Sequence, residues 1–131
     1  MAITVTGITP LLEVFDLPAS IAFYRDVLGF ELISGDDTWW CMLKSGEVRL
    51  MLNTAYEKDQ RPAVPDGARV RGHGDAELYF DTPDADEVYA QIRSKGWPAT
   101  EPKDMHYGFR QVNTKDPDGF LLCFISPVES K

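Results

Sequence analysis

The groups able to do chemistry in this 131-residue chain are two cysteines, two histidines and a scatter of carboxylates. Cys123 lies in "KDPDGFLLCFISP", Lys115 to Pro127, where a tight turn runs into an apolar strand. A thiol becomes a nucleophile when a base or cation lowers its pKa. The sequence brings no such group beside Cys123, which among Leu, Phe and Ile reads as a small hydrophobe. Cys41 also has apolar neighbours, and without a CxxC spacing the two read as reduced, buried thiols, neither disulfide nor zinc ligands. His73, between glycines in "RGHGD", and His106, between Met105 and Tyr107, read as exposed loop histidines.

Elements must position these groups. "ITPLLEVF", Ile8 to Phe15, alternates as a strand does: Ile8, Leu12 and Val14 share one face with Pro10, while Thr9, Leu11, Glu13 and Phe15 share the other. "DLPASIAFYRDVLGF" follows with Asp16 as N-cap, Pro18 in the first turn, Ile21, Phe23, Tyr24, Val27 and Leu28 at helical spacing, and Gly29 as the stop. Strands are predicted at Phe30 to Ser34, Thr38 to Lys44 and Glu47 to Asn53, the last two joined through Ser45-Gly46.

The same order recurs. "DAELYF" is a strand with Ala76, Leu78 and Phe80 on one side, and "DTPDADEVYAQIRSKG" a helix with Val88, Tyr89 and Ile92 inward. Asp16, Pro18, Tyr24 and Val27 reappear as Asp81, Pro83, Tyr89 and Ile92, so the chain reads as an internal duplication. "WPATEPKD" gives a short strand broken by prolines, "YGFRQVNTK" a longer one and "FLLCFIS" the last. Between the latter two, "DPDG" has Pro117 at the second turn position, Gly119 where φ is positive, and aspartates able to bond the turn's own backbone. "TAYEKDQRPAVPDGARVRGHG" shows no period and reads as a long loop.

One domain spanning 1–131 is expected, with module one at about 4–55 and module two at about 74–127. Thirteen basic against 21 acidic residues, a formal charge of -8, weigh against nucleic acid and anionic membranes as partners. No basic leader and no span-length apolar stretch is seen, so a cytoplasmic protein is expected.

Two β-α-β-β-β modules, with "FYRDVLGF" closing the first helix and "YGFRQVNTKDPDGFLL" leading into the last strand, resemble the vicinal oxygen chelate superfamily. That group includes glyoxalase I, the bleomycin resistance proteins and extradiol dioxygenases; the pattern is closest to the metal-free bleomycin resistance-like branch. The resemblance covers Ile8 to Pro127. It implies an α+β fold in which a sheet from each module curls into a cup, helices outside and ligand inside, often in a homodimer. In metal-using members it implies four ligands, two His and two Glu with variants. Those positions fall here at Thr9, within Arg49 to Met51, at Asp75 and at Cys123. A divalent ion needs three or more His or carboxylate ligands, so neither metal nor cofactor is expected. His73, of the same strand parity as Asp75, reaches the third position only by a two-residue register slip.

With those positions fixed, alternation selects the cup wall: Thr9, Leu11, Glu13, Trp40, Met42, Arg49, Met51 and Asn53 from module one, Asp75, Glu77, Tyr79 and Cys123 from module two, with Arg110 and Gln111 competing for one place. Aromatic surface with three carboxylates suits a cationic or amine-bearing aromatic ligand. The expectation is a metal-independent binder that sequesters a drug or toxin, as in antibiotic resistance; the alternative is a divalent-metal-dependent glyoxalase-like lyase or isomerase, or a dioxygenase.

Overall fold

The computed structural model describes residues 2–57 and 59–128. Module one comprises β1 (Leu11–Val14), α1 (Leu17–Ala22, continued by a π-turn at Phe23–Val27), β2 (Glu31–Gly35), β3 (Trp40–Ser45) and β4 (Val48–Thr54). In module two these roles fall to β5 (Glu77–Asp81), α3 (Ala85–Ser94), β6 (Lys103–Asp104), β7 (Phe109–Lys115) and β8 (Leu121–Pro127). Two four-stranded mixed sheets result, ordered β1-β4-β3-β2 and β5-β8-β7-β6. In each, the module's first strand pairs parallel to its last. The α+β class and the repeated β-α-β-β-β order are thus as expected.

Alternation decides which face is buried. Leu12, Val14, Cys41, Leu43, Leu50 and Leu52 turn inward and are buried, while Leu11, Glu13 and Arg49 are exposed and Trp40, Met42, Met51 and Asn53 half-buried. α1 packs on the inward face of the first sheet and α3 on that of the second. One core cluster joins both modules, taking Ile21, Phe23, Tyr24 and Phe30 from the first and Ile92, Leu122 and Phe124 from the second.

Four expectations about element boundaries need correction. The first strand starts at Leu11, not Ile8, because Pro10 has no N–H for the ladder and restrains Thr9; the link to β4 opens with Met51 N–H donating to the Pro10 carbonyl at 2.9 Å. The second helix starts one turn later than the repeat suggests. Asp81 is still in β5, paired with Ile125, and Asp84 is the N-cap, accepting from the Asp86 N–H at 2.9 Å. The strand in "WPATEPKD" shrinks to Lys103–Asp104. The connecting loop also holds a short helix, α2 (Gly67–Gly72), capped by Asp66 and followed by a 3-10 turn at His73–Asp75. Asp75 therefore belongs to that turn and not to a strand.

Both modules meet at the "DPDG" turn. Gly119 N–H donates to the Asp116 carbonyl at 3.0 Å, and Gly119 takes φ +88 with a Val70 methyl 3.1 Å from where a Cβ would stand. Asp116 caps the turn as expected, accepting from Asp118 N–H and Phe120 N–H at 2.9 Å each. Its other oxygen accepts the buried Tyr24 hydroxyl of α1 at 2.7 Å. Asp118 departs from expectation and reaches across the modules to accept Phe15 N–H at 2.8 Å. His73 is not an exposed loop histidine: it stacks on Phe120 at 3.8 Å, and its Nδ1–H donates to the Asp118 carbonyl at 2.7 Å.

Burial pushes the Asp116 carboxyl above the ordinary carboxyl range, against the pull of its three hydrogen bonds. Within the window between the ordinary and the raised value, the folded state holds more proton than the unfolded one, so stability falls as pH rises. We predict that the stability of the wild type relative to Asp116→Asn declines as pH climbs from about 4 and then levels, measured by urea unfolding. Tyr24→Phe should cost about 1–3 kcal/mol by stranding a buried carboxylate oxygen; an unchanged urea midpoint would contradict the role given to this bond.

Candidate functional site

Each sheet has one face covered by its helix and one left open, and every strand-borne site residue expected from the sequence lies on an open face. On the first sheet, Trp40 pairs across the ladder with Asn53, and Met42 with Met51. Leu11 lies beside Met51 and Glu13 beside Asn53. With Ile33 of β2 also exposed, this face is dominated by indole, thioether and aliphatic carbon.

The open face of the second sheet is polar. Tyr79, Cys123 and Asn113 stand in one row across β5, β8 and β7, with Gln111 one step along from Asn113. The place left open between Arg110 and Gln111 goes to Gln111. Arg110 turns to the helix side, where its guanidinium holds Asp86 through two nitrogens (3.0 and 3.2 Å) and Asp104 at 2.8 Å. Gln111 is buried, accepts the Tyr107 hydroxyl and donates to Asn113 Oδ1 at 2.8 Å. Tyr79, half exposed, donates to Glu77 at 3.3 Å. Asn113 and Tyr107 were absent from the expected site. The "NTK" and "MHY" stretches carry no chemical signature, and only the resolved parity of β7 could have put Asn113 in the wall.

A cleft of about 570 Å³ lies where the segment preceding β1, the start of β4 and the edge strand β5 approach one another. It brings together Thr9, Arg49, Glu77 and Tyr79. Thr9 reaches it from an extended segment and not from a strand. Asp75 is exposed in its 3-10 turn and joins neither the cleft nor the open face.

The residues at the metal positions implied by the resemblance do not fit a divalent ion. Arg49 is exposed, Leu50 buried and Met51 on the open face, so β4 presents no anionic or imidazole donor. Thr9 and Asp75 are outside the strands, and His73 spends its Nδ1–H on Asp118. Among the described residues no group of three or more His, Cys, Asp or Glu side chains converges. Cys123 is 1% exposed; burial first and Glu77 second push its thiol upward, keeping it protonated at neutral pH. Cys123 and burial likewise raise the Tyr79 phenol, with donation from Gln111 pulling the other way.

Open-faced sheets of paired β-α-β-β-β modules, without a metal donor set, define a class that comparison with known proteins narrows. The sequence pattern of the Glyoxalase/Bleomycin resistance protein/Dioxygenase superfamily matches residues 8–124. The chain belongs to that superfamily. It is 33% identical over 128 residues to a bleomycin resistance protein of Geobacillus stearothermophilus, covering 92% of this chain and 96% of that one. The fold is shared with the bleomycin-binding protein of Streptomyces verticillus complexed with copper(II)-bleomycin (TM-score 0.70, 20% identity, 98% of this chain and 100% of that one). It is also shared with lactoylglutathione lyase of Agrobacterium tumefaciens (TM-score 0.67, 24% identity, 92% and 93%).

Both thiols are buried and free, and burial raises each pKa. We predict that the folded protein reacts with a thiol-specific reagent near neutral pH far more slowly than the urea-unfolded protein. One rapidly labelled native thiol would return Cys123 to candidacy as a nucleophile.

Proposed function

We propose that this chain binds and sequesters a small organic molecule without the help of a metal, in the manner of the bleomycin resistance branch. The observation that carries the reading is the chemistry of the open faces: Trp40, Met42 and Met51 offer polarizable apolar area on one sheet, Tyr79, Gln111 and Asn113 offer hydrogen bonds on the other, and among the described residues no three metal-ligating side chains converge. The 33% identical bleomycin resistance protein supports the same branch. Glu13 and Glu77, exposed on these faces within a chain of charge -8, favour a ligand with an amine or other cationic group beside its aromatic part.

The site residues in this reading are Leu11, Glu13, Trp40, Met42, Met51 and Asn53 on one face and Glu77, Tyr79 and Cys123 on the other, with Thr9 and Arg49 at the cleft. We further read the protein as a homodimer. The segment before β1 exposes Ile3, Val5 and Ile8 at 90, 77 and 89%, and among the described residues no helix covers the two open sheet faces; both are surfaces a second copy would bury. Two free, buried cysteines accord with a reducing compartment such as the cytoplasm. Among the described residues no helix is long and apolar enough to cross a membrane.

Titrating metal-free bleomycin and a panel of amine-bearing aromatics in the presence of a chelator, with tryptophan emission as the readout, tests the proposal. Saturable quenching that is weakened by Trp40→Ala is expected. Silence across the panel, or binding that appears only when a divalent metal is supplied, would overturn it in favour of a metal-dependent lyase or dioxygenase. Sedimentation equilibrium should give twice the chain mass; a monomer at micromolar concentration would remove the dimer.

A further inference from the structure

The polar face has a direction, and the direction selects the ligand. A carboxylate only accepts, so Tyr79, at 3.3 Å from Glu77 Oε2, must spend its hydroxyl proton there. Beside it, a second chain of bonds runs through Gln111. The Tyr107 hydroxyl donates to Gln111 Oε1, so Nε2 faces Asn113. Gln111 is 6% exposed, and a buried amide N–H needs an acceptor. Asn113 must therefore turn Oδ1 to Gln111, with which it bonds at 2.8 Å. Its Nδ2 is left as the end of the chain, with no hydrogen-bond partner among the described residues and a side chain only half-buried.

We infer that Asn113 Nδ2 is a donor-only reading head, and that the small molecule held on this face presents a hydrogen-bond acceptor to it: a ring nitrogen or a carbonyl at the edge of a planar group. The inference rests on the small-molecule reading above and adds the polarity of the contact. Inverting the head would require the Gln111 amide to flip, which would cost the bond that Oε1 accepts from the Tyr107 hydroxyl. The Tyr107 hydroxyl, outside the contact itself, is thus the group that sets its sense.

Quinoline, an acceptor without a donor, and indole, a donor without an acceptor, are neutral bicyclic probes of similar size. In ¹⁵N-resolved titrations of the full chain, quinoline should shift the Asn113 side-chain amide. Asn113→Asp keeps the size and the acceptor needed by Gln111 but removes the donor, and it should weaken quinoline roughly tenfold, as loss of one hydrogen bond does, without weakening indole. Quinoline affinity unchanged in Asn113→Asp would overturn the inference and leave the binding reading standing, whereas saturable binding of neither probe to the wild type would count against both. A readout independent of ligand guards against a variant that folds poorly: in the wild type, the Gln111 side-chain amide protons should exchange with solvent much more slowly than those of Asn113. The reverse order would show the chain of bonds running the other way and would also overturn the inference.

Discussion

Everything else in the molecule leans on a carboxylate kept out of water. Asp116 is buried at the "DPDG" turn, and taking a carboxyl from solvent is costly unless its lone pairs find donors. Three donors reach it, two from its own turn and one, the Tyr24 hydroxyl, from a helix 92 residues earlier in the chain. Its neighbour Asp118 ties the end of the first strand to the same turn, and Asp118 Oδ2 is buried with no hydrogen-bond partner among the described residues. The contact is therefore held by geometry that cannot drift: moving α1 away from the turn would strand several buried polar groups together. Since no backbone ladder joins the two sheets among the described residues, this polar knot and the shared core around Phe23, Phe30, Ile92 and Phe124 fix how the modules sit.

Much of this was legible in the residues, and what was missed has identifiable causes. Alternation along β1, β3, β4 and β5 gave the right faces because each strand has one wall of Leu, Val, Cys or Phe and one mixed wall, a contrast that a one-residue slip would invert. The helix stop at Gly29 and the turn at Gly119 were readable because positive φ strongly favours glycine there. The repeat was readable too, but not its register. An Asp-x-Pro pattern announces a helix start in both halves, yet Asp81 is held in a strand by pairing with Ile125, so the cap passes to Asp84. α2 lacked a signal because six residues bounded by glycines have no room for a period. Asp118 was mistaken for a local turn former because sequence shows which groups can bond, not which distant N–H will need them.

The candidate site divides its labour between the sheets. Module one supplies area: indole, thioether and aliphatic surface adapt to different shapes and cost little to desolvate. Module two supplies direction, since amide and phenol groups accept only certain partners. Cys123 stands between Tyr79 and Asn113 on that second face. A small, buried thiol with a raised pKa brings there neither the bulk nor the charge of a carboxylate or imidazole. The same fold can thus serve a lyase or a trap, and the difference lies in a few side chains on the open face.

Strand order has a bearing on how the protein comes to exist on the ribosome. In each sheet the strand made last inserts between strands made earlier: β4 lies between β1 and β3, and β8 between β5 and β7. Module one can close its sheet once Thr54 has emerged. Module two must wait for β8, which also supplies the Ser126 hydroxyl that accepts the first N–H of α3, from Ala85, at 3.0 Å. Until then β5 and β7 are nascent strands without their central neighbour, and the period before β8 emerges is when this module most needs protection from aggregation.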